Sequence, residues 1–174
     1  MSAIASLGRN CSVIYKSFFI EDLVPIMKIA IGSDHRGIHQ RGWVSAAIKS
    51  QGHSVSDQGT FSETSVDYPD IAALVALQVS TGKCDRGVLL CGTGIGVSIA
   101  ANKIAGIRAA VCHDLHTAEM SRRHNDANVL CLSAESLDHT QYESIIAVWL
   151  ATPFDGGRHQ QRIDKIAMLE SGCC

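Results

Sequence analysis

From Met27 onward, short apolar runs alternate with longer segments whose apolar positions recur at helical spacing. Lys28–Ser33, Gly87–Cys91, Arg108–Cys112 and Asn128–Leu132 read as buried strands, and His53–Asp57 as a further strand. Helices are expected over Gly37–Gln51, ended by Gly52, then from Pro69 to about Ser80, a place where proline suits a helix start. Further helices are expected over Gly96–Lys103, Asp114–His124, Thr140–Leu150 and Arg158–Glu170. Short, doubly buried strands separated by helices predict a five-stranded parallel sheet in a three-layer α/β/α, Rossmann-like single domain. Ligands of such folds bind beyond the carboxyl ends of the strands, near the switch in strand order. That singles out Ser33–Gly37, Cys91–Gly96 and His113–Asp114.

The chain has 174 residues, enough for one domain with a real core. Residues 1–26 lack a clean period and read as a poorly ordered amino-terminal extension before a domain spanning 27–174. With Arg9 and Lys16 its only basic residues and no acid before Glu21, the extension can be a targeting segment, but a dispensable or upstream-start extension is the favoured reading. A net charge of -2 with scattered Lys and Arg gives no electrostatic footprint for nucleic acid. No apolar run reaches the length of a membrane span. The seven cysteines follow no metal-ligand spacing, which points to free thiols in a reducing, cytoplasmic setting.

Four segments can carry chemistry. In Cys91-Gly92-Thr93-Gly94-Ile95-Gly96 a strand ends, glycines allow close backbone approach, and a helix begins. Successive N–H groups in such a turn suit an anion or a developing oxyanion, although the glycines alone are equally compatible with a packing turn. Cys91 stands at its mouth. A free thiol is only about 3% thiolate at neutral pH, and the amides of a partly buried helix start favour an anion by up to ~2 kcal/mol. Cys112 and Cys131 fall in strand interiors and read as core. Asp34 and His35 follow the first strand, where Asp34 either caps the next helix or meets a ligand. His124 and Asn125 lie where a helix with a basic end runs out, an arrangement the helix dipole favours without any function. Arg158 and Arg162 lie i,i+4 at the start of the last helix, where the dipole gives guanidinium groups no help and a phosphate would.

Together these segments resemble ribose-5-phosphate isomerase of type B, a family that also contains allose-6-phosphate isomerases and galactose-6-phosphate isomerase subunits. The resemblance runs from Met27 to about Glu170. It rests on Ser33-Asp34-His35, Val66-Asp67-Tyr68-Pro69, Cys91 to Gly96 continuing into Ala100-Ala101-Asn102-Lys103, His124-Asn125-Asp126, and Gly157-Arg158-His159 with Arg162. It implies an aldose–ketose isomerase of the pentose phosphate pathway that interconverts ribose 5-phosphate and ribulose 5-phosphate through an enediolate. Cys91 would be the base and His124 the acid that opens the furanose ring. Gly92, Gly94, Ile95 and Gly96 would hold the intermediate through their N–H groups, with Thr93 at the sugar oxygens. Tyr68 and Asn125 would hold the open sugar and Asp34 its hydroxyls, while His35, Arg158 and Arg162 would bind the phosphate. The resemblance implies no metal and no cofactor, and a homodimer, or a tetramer, whose subunits share active sites.

One departure stands out. Many members carry Gly-x-Arg after the strand matching Asn128–Leu132, with the arginine reaching toward phosphate; here the stretch reads Ser133-Ala134-Glu135. A glutamate there either points elsewhere or changes how substrate is bound. Three other readings remain: a six-carbon sugar-phosphate isomerase, a non-catalytic sugar-phosphate-binding domain, and a dinucleotide-binding domain built on Gly92-x-Gly94 and Asp114.

Overall fold

The computed structural model describes residues 25–172. The extension expected over residues 1–26 lies outside the described residues except for Pro25 and Ile26. Five strands form one parallel sheet: β1 (Lys28–Ser33), β2 (Ser54–Asp57), β3 (Arg86–Cys91), β4 (Ala109–Val111) and β5 (Val129–Ser133). Six helices connect and flank them: α1 (Ile38–Ser50), α2 (Tyr68–Ser80), α3 (Ile95–Ala101), α4 (Leu115–Asn125), α5 (His139–Ala151) and α6 (Arg158–Glu170).

The strand order is β2-β1-β3-β5-β4, so the chain reverses its direction of travel across the sheet between β1 and β3. Ser33 pairs in register with Leu90, and the Asp34 N–H donates to the Leu90 carbonyl at 3.4 Å. The carboxyl ends of β1 and β3 therefore lie side by side where a parallel sheet opens a crevice.

Alternation within the strands builds two cores. Ile29, Ile31, Val88, Leu90, Leu130 and Leu132 face one side, where α1, α4 and α5 cover them with Val44, Ile48, Tyr142 and Trp149. Ala30, Leu89, Cys91, Val129 and Cys131 face the other, under α2 and α3. Period two thus sends the Cys91 side chain to the α2–α3 side. Cys112 and Cys131 are both buried, and burial pushes both thiols up.

Small departures from the expected boundaries have local causes. Residues His35–Gly37 form a separate 3₁₀ turn ahead of α1. A Cβ on Gly37 would lie 2.8 Å from the Ser33 side chain and 3.0 Å from that of Leu90, so the turn packs directly on the strand ends. Helix α3 stops at Ala101 because the Asn102 side chain turns to bond both backbone groups of Ala109.

Two arginines brace the opposite, amino end of the sheet. Arg86 donates to the Trp149 and Leu150 carbonyls and lies over the Trp149 ring; burial, more than the neighbouring Arg122 charge, brings its pKa down to about 10. Arg122, buried, donates to the Ala127 carbonyl and pairs with Asp126 at 2.8 Å.

His53 tethers the start of β1. Its Nδ1 accepts from the Met27 N–H at 3.2 Å, a bond only the form unprotonated at Nδ1 can make. Burial, then the Arg86 charge, lowers its pKa. The folded chain therefore binds this proton less readily than the unfolded one. The stability contributed is full above the ordinary histidine value of 6.5 and is lost as pH falls through it toward the lower folded value. Melting temperatures measured at pH 7.5 and 5.5 are expected to fall on acidification, and His53→Leu is expected to flatten that dependence.

Candidate active site

The sheet switch opens into a cavity of about 440 Å³. Asp34, His35, Tyr68, Cys91, Thr93 and Gly96 line it, together with Gly92 and Arg36. Three loops, after β1, after β2 and after β3, thus meet at one place.

Cys91 ends β3 with its side chain buried against α2 and α3 but open to this cavity. The Gly94 N–H donates to its Sγ at 3.2 Å, and such a bond is stronger to a thiolate than to a thiol. The turn that makes this possible is held from β5. The Ala134 N–H donates to the Cys91 carbonyl at 2.8 Å, the Ser133 hydroxyl to the Gly92 carbonyl at 2.7 Å, and the Glu135 N–H to the same carbonyl at 3.2 Å. Gly94 adopts φ 77°, and a Cβ there would lie 3.1 Å from the Leu132 backbone carbon. Both the left-handed conformation and the close approach require glycine. The Ile95 N–H bonds the Thr93 hydroxyl at 3.3 Å. The Thr93 and Gly96 N–H groups make no hydrogen bond among the described residues, leaving donors at the cavity for an anion.

Tyr68 opens α2, and its ring lies against Gly96, where a Cβ would approach the ring to 2.8 Å. The capping role weighed for Asp34 is present: one carboxylate oxygen accepts from the Arg36 N–H at 2.9 Å, capping the 3₁₀ turn, and the residue also faces the cavity. His35 Nδ1 accepts from the Val66 N–H at 3.4 Å, so the neutral ring carries its proton on Nε2, ready to donate.

The remaining expected site residues lie elsewhere on the chain. His124 and Asn125 close α4, and Arg158 and Arg162 begin α6; the cavity lining includes none of the four. Arg158 and Arg162 are exposed and form no ion pair among the described residues. The His124 ring stacks on His159 with centroids 4.3 Å apart and planes within 5°. His159 is buried, and its pKa is lowered by that burial and then by the charges of His124, Arg158 and Arg162. With Asp155 these two rings bring ligand atoms within 4.8 Å of one another, the one such group found among the described residues. Stacked rings hold their lone pairs in two parallel planes, whereas two imidazoles on one ion must aim theirs at one point, so the arrangement suits a π-stack better than a metal centre.

His113–Asp114, the third suspected segment, does not join this cavity. Asp114 caps α4 in a reciprocal capping box with Thr117 and lines a separate cavity of about 230 Å³. A ribose-binding acid of a dinucleotide site would need that carboxylate free, which weighs against the dinucleotide reading.

Two contributors escaped sequence reading. Arg36 lines the cavity and pairs with Glu135 at 2.7 Å, and nothing in the run Asp34-His35-Arg36 marks it apart from a surface arginine. Arg41, buried, donates to the Ser33 hydroxyl at 2.8 Å and pairs with Asp57 at 3.2 Å, locking the ends of β1 and β2 together.

Comparison with known proteins agrees with this fold. A family model described as Ribose/Galactose Isomerase matches residues 29–166. Ribose-5-phosphate isomerase B of Escherichia coli is 46% identical over 143 residues, covering 82% of this chain and 96% of that protein. A solved ribose-5-phosphate isomerase B from Clostridium thermocellum superposes with a TM-score of 0.82 at 47% identity, over 85% of this chain and 100% of that one. That of Mycoplasma genitalium, solved with bound ribulose 5-phosphate, gives a TM-score of 0.79 at 42% identity, over 83% of this chain and 96% of its own. The chain belongs to the ribose/galactose isomerase family.

Gly94→Ala should cost on the order of 1–3 kcal/mol, since it adds both a disfavoured φ and a backbone collision. Urea unfolding of the two proteins side by side measures it, and a change near zero would mean that the turn is not held as described.

Proposed function

We propose that this member of the family is a ribose-5-phosphate isomerase of the pentose phosphate pathway, working without a metal, with Cys91 as its base. The observation that carries this reading is the Cys91 sulfur at the tip of β3, bonded by the Gly94 N–H at 3.2 Å and opening on a cavity with free backbone donors. Ring opening comes first: an acid protonates the ring oxygen as the C1 hydroxyl proton is lost, giving the open aldose. His124 is assigned that acid. The Cys91 thiolate then takes the proton from C2, the electron pair forms the C1–C2 double bond, and charge collects on O1. The N–H groups of the turn from Gly92 to Gly96 stabilise that charge, in the manner of an oxyanion hole. Return of the proton to C1, with transfer of the O2 proton to O1, completes the ketose. Thr93, Tyr68 and Asn125 hold the open chain, Asp34 its hydroxyls, and His35, Arg158 and Arg162 the phosphate.

His124, Asn125, Arg158 and Arg162 lie outside the lining of the Cys91 cavity within one chain, so this assignment places them in the site of a second copy. Tyr68, Leu74 and Leu77 on α2, and Ile95 and Ile99 on α3, are exposed on the two helices that start near the cavity and offer apolar surface for that copy. Homodimerisation with shared sites accounts for both the unpaired arginines and the uncovered face. No helix among the described residues is long and apolar enough to cross a membrane, and Cys84, Cys91, Cys112 and Cys131 are free thiols, which together support a cytoplasmic enzyme.

Isomerisation of ribose 5-phosphate and of allose 6-phosphate, measured on the wild type and Cys91→Ala, tests the reading. Turnover of the pentose is expected to exceed that of the hexose and to vanish in Cys91→Ala while binding persists; faster turnover of the hexose would transfer the assignment to six-carbon sugars. Cys91→Ala and His124→Asn, each inactive alone on the cyclic sugar, should together recover about a quarter of wild-type activity after subunit exchange, because one of the two sites in a mixed dimer is intact. No recovery in exchanged dimers would place both residues in a site built by one chain.

A further inference from the structure

Within the cavity lining Arg36 is the only side chain with a permanent positive charge, while Asp34 and Asp67 bring carboxylates. Its guanidinium donates from Nη1 to Glu135 Oε1 at 2.7 Å and makes no other hydrogen bond among the described residues, leaving Nε and Nη2 uncommitted. The pair spans the loops after β1 and β5 directly across Gly92. A Cβ on Gly92 would lie 2.8 Å from Glu135 Oε1 and 3.2 Å from Arg36 Nη1, so both charged groups reach the backbone of the turn that holds Cys91. Backbone N–H bonds fix the geometry at both ends. The Arg36 N–H is tied to Asp34, and Glu135 is anchored by its own N–H to Gly92 and to the Ser133 hydroxyl. Both side chains are more than half exposed, 61% and 54%, so the pair itself adds little to stability.

We infer that Arg36 is a phosphate-binding residue of this site and that Glu135 is its positioning residue. The inference rests on the sugar-phosphate reading above. A guanidinium can bond a carboxylate through one edge and an anion through another, and its planar fork suits phosphate oxygens. Position 135 would then hold the cation that position 36 supplies, and the pair presents the free guanidinium edge to the substrate phosphate. Beside the carboxylates of Asp34 and Glu135, a guanidinium from the same chain offsets repulsion that a dianionic phosphate would meet, in addition to whatever Arg158 and Arg162 of a second copy supply.

The test uses Arg36→Ala, Arg36→Glu and the exchanged pair Arg36→Glu with Glu135→Arg, in the full chain. Two readouts are taken: KM and kcat for ribose 5-phosphate, and the affinity for inorganic phosphate by calorimetry. Arg36→Ala should raise KM and weaken phosphate binding about tenfold, with kcat within about threefold of wild type, as for lost uniform binding. Arg36→Glu should be worse on both, and the exchanged pair should return both to within about threefold of wild type. Unchanged KM and phosphate affinity in Arg36→Ala would overturn the inference and leave the isomerase reading standing. An exchanged pair no better than Arg36→Glu would likewise overturn it. If the wild type isomerised no sugar phosphate, the functional reading would fall, while the phosphate titrations would still decide whether Arg36 binds the anion. Melting temperatures within a few degrees of wild type are expected throughout, which separates a lost contact from a lost fold.

Discussion

The site depends on the grip of β5 on the end of β3. The carbonyls of Cys91 and Gly92 are engaged by Ala134, Glu135 and the Ser133 hydroxyl, and Gly94 presses on the backbone of Leu132. These contacts bend the chain sharply enough for the Gly94 amide to turn back onto the Cys91 sulfur. Without them the glycine turn would have its full freedom, and the sulfur and amides would share no fixed geometry. Preorganisation of this kind is what lets backbone dipoles act on a developing charge without rearranging during the reaction.

The same sheet shows why one cysteine is set apart from its neighbours. Cys91 and Cys131 point to the same face, and Cys112 lies on the other. Burial raises the Cys131 and Cys112 thiols, and both behave as small hydrophobes of the core. Cys91 differs by position: it is the last residue of the central strand, at the switch in strand order, so its sulfur meets both the apolar layer and the cavity.

The chain carries its chemical groups in two sets. One set gathers at the carboxyl ends of β1 and β3, and the other sits on the end of α4 and the start of α6. Helix α6 buries only His159 and Ile163 against the body, and leaves Ile166, Met168 and Leu169 exposed. The helix is lightly anchored, and among the described residues the two arginines at its start form no ion pair, features that suit the shared site proposed above. The His124–His159 stack keeps the second set together, and burial, then the charges of His124, Arg158 and Arg162, favours the neutral form of His159.

The alternation of apolar strands and helices was legible in the sequence because its periods, two and 3.6, are local properties of the backbone. It determined the parallel sheet, the limits of β1 and α6, and the burial of Cys112 and Cys131. The run from Cys91 to Gly96 was legible as a turn between a strand and a helix, since the apolar strand, the glycines and the helix start follow one another there. Tertiary structure alone decided which loops meet. Arg36 and Glu135 stand 99 positions apart, and their pairing exists only because β5 lies beside β3 and β3 beside β1. It also separated His124, Arg158 and Arg162 from the Cys91 cavity, and committed Asp114 to a helix cap. A residue's partners are set by strand order, an outcome of packing the whole domain, and local spacing carries no record of it.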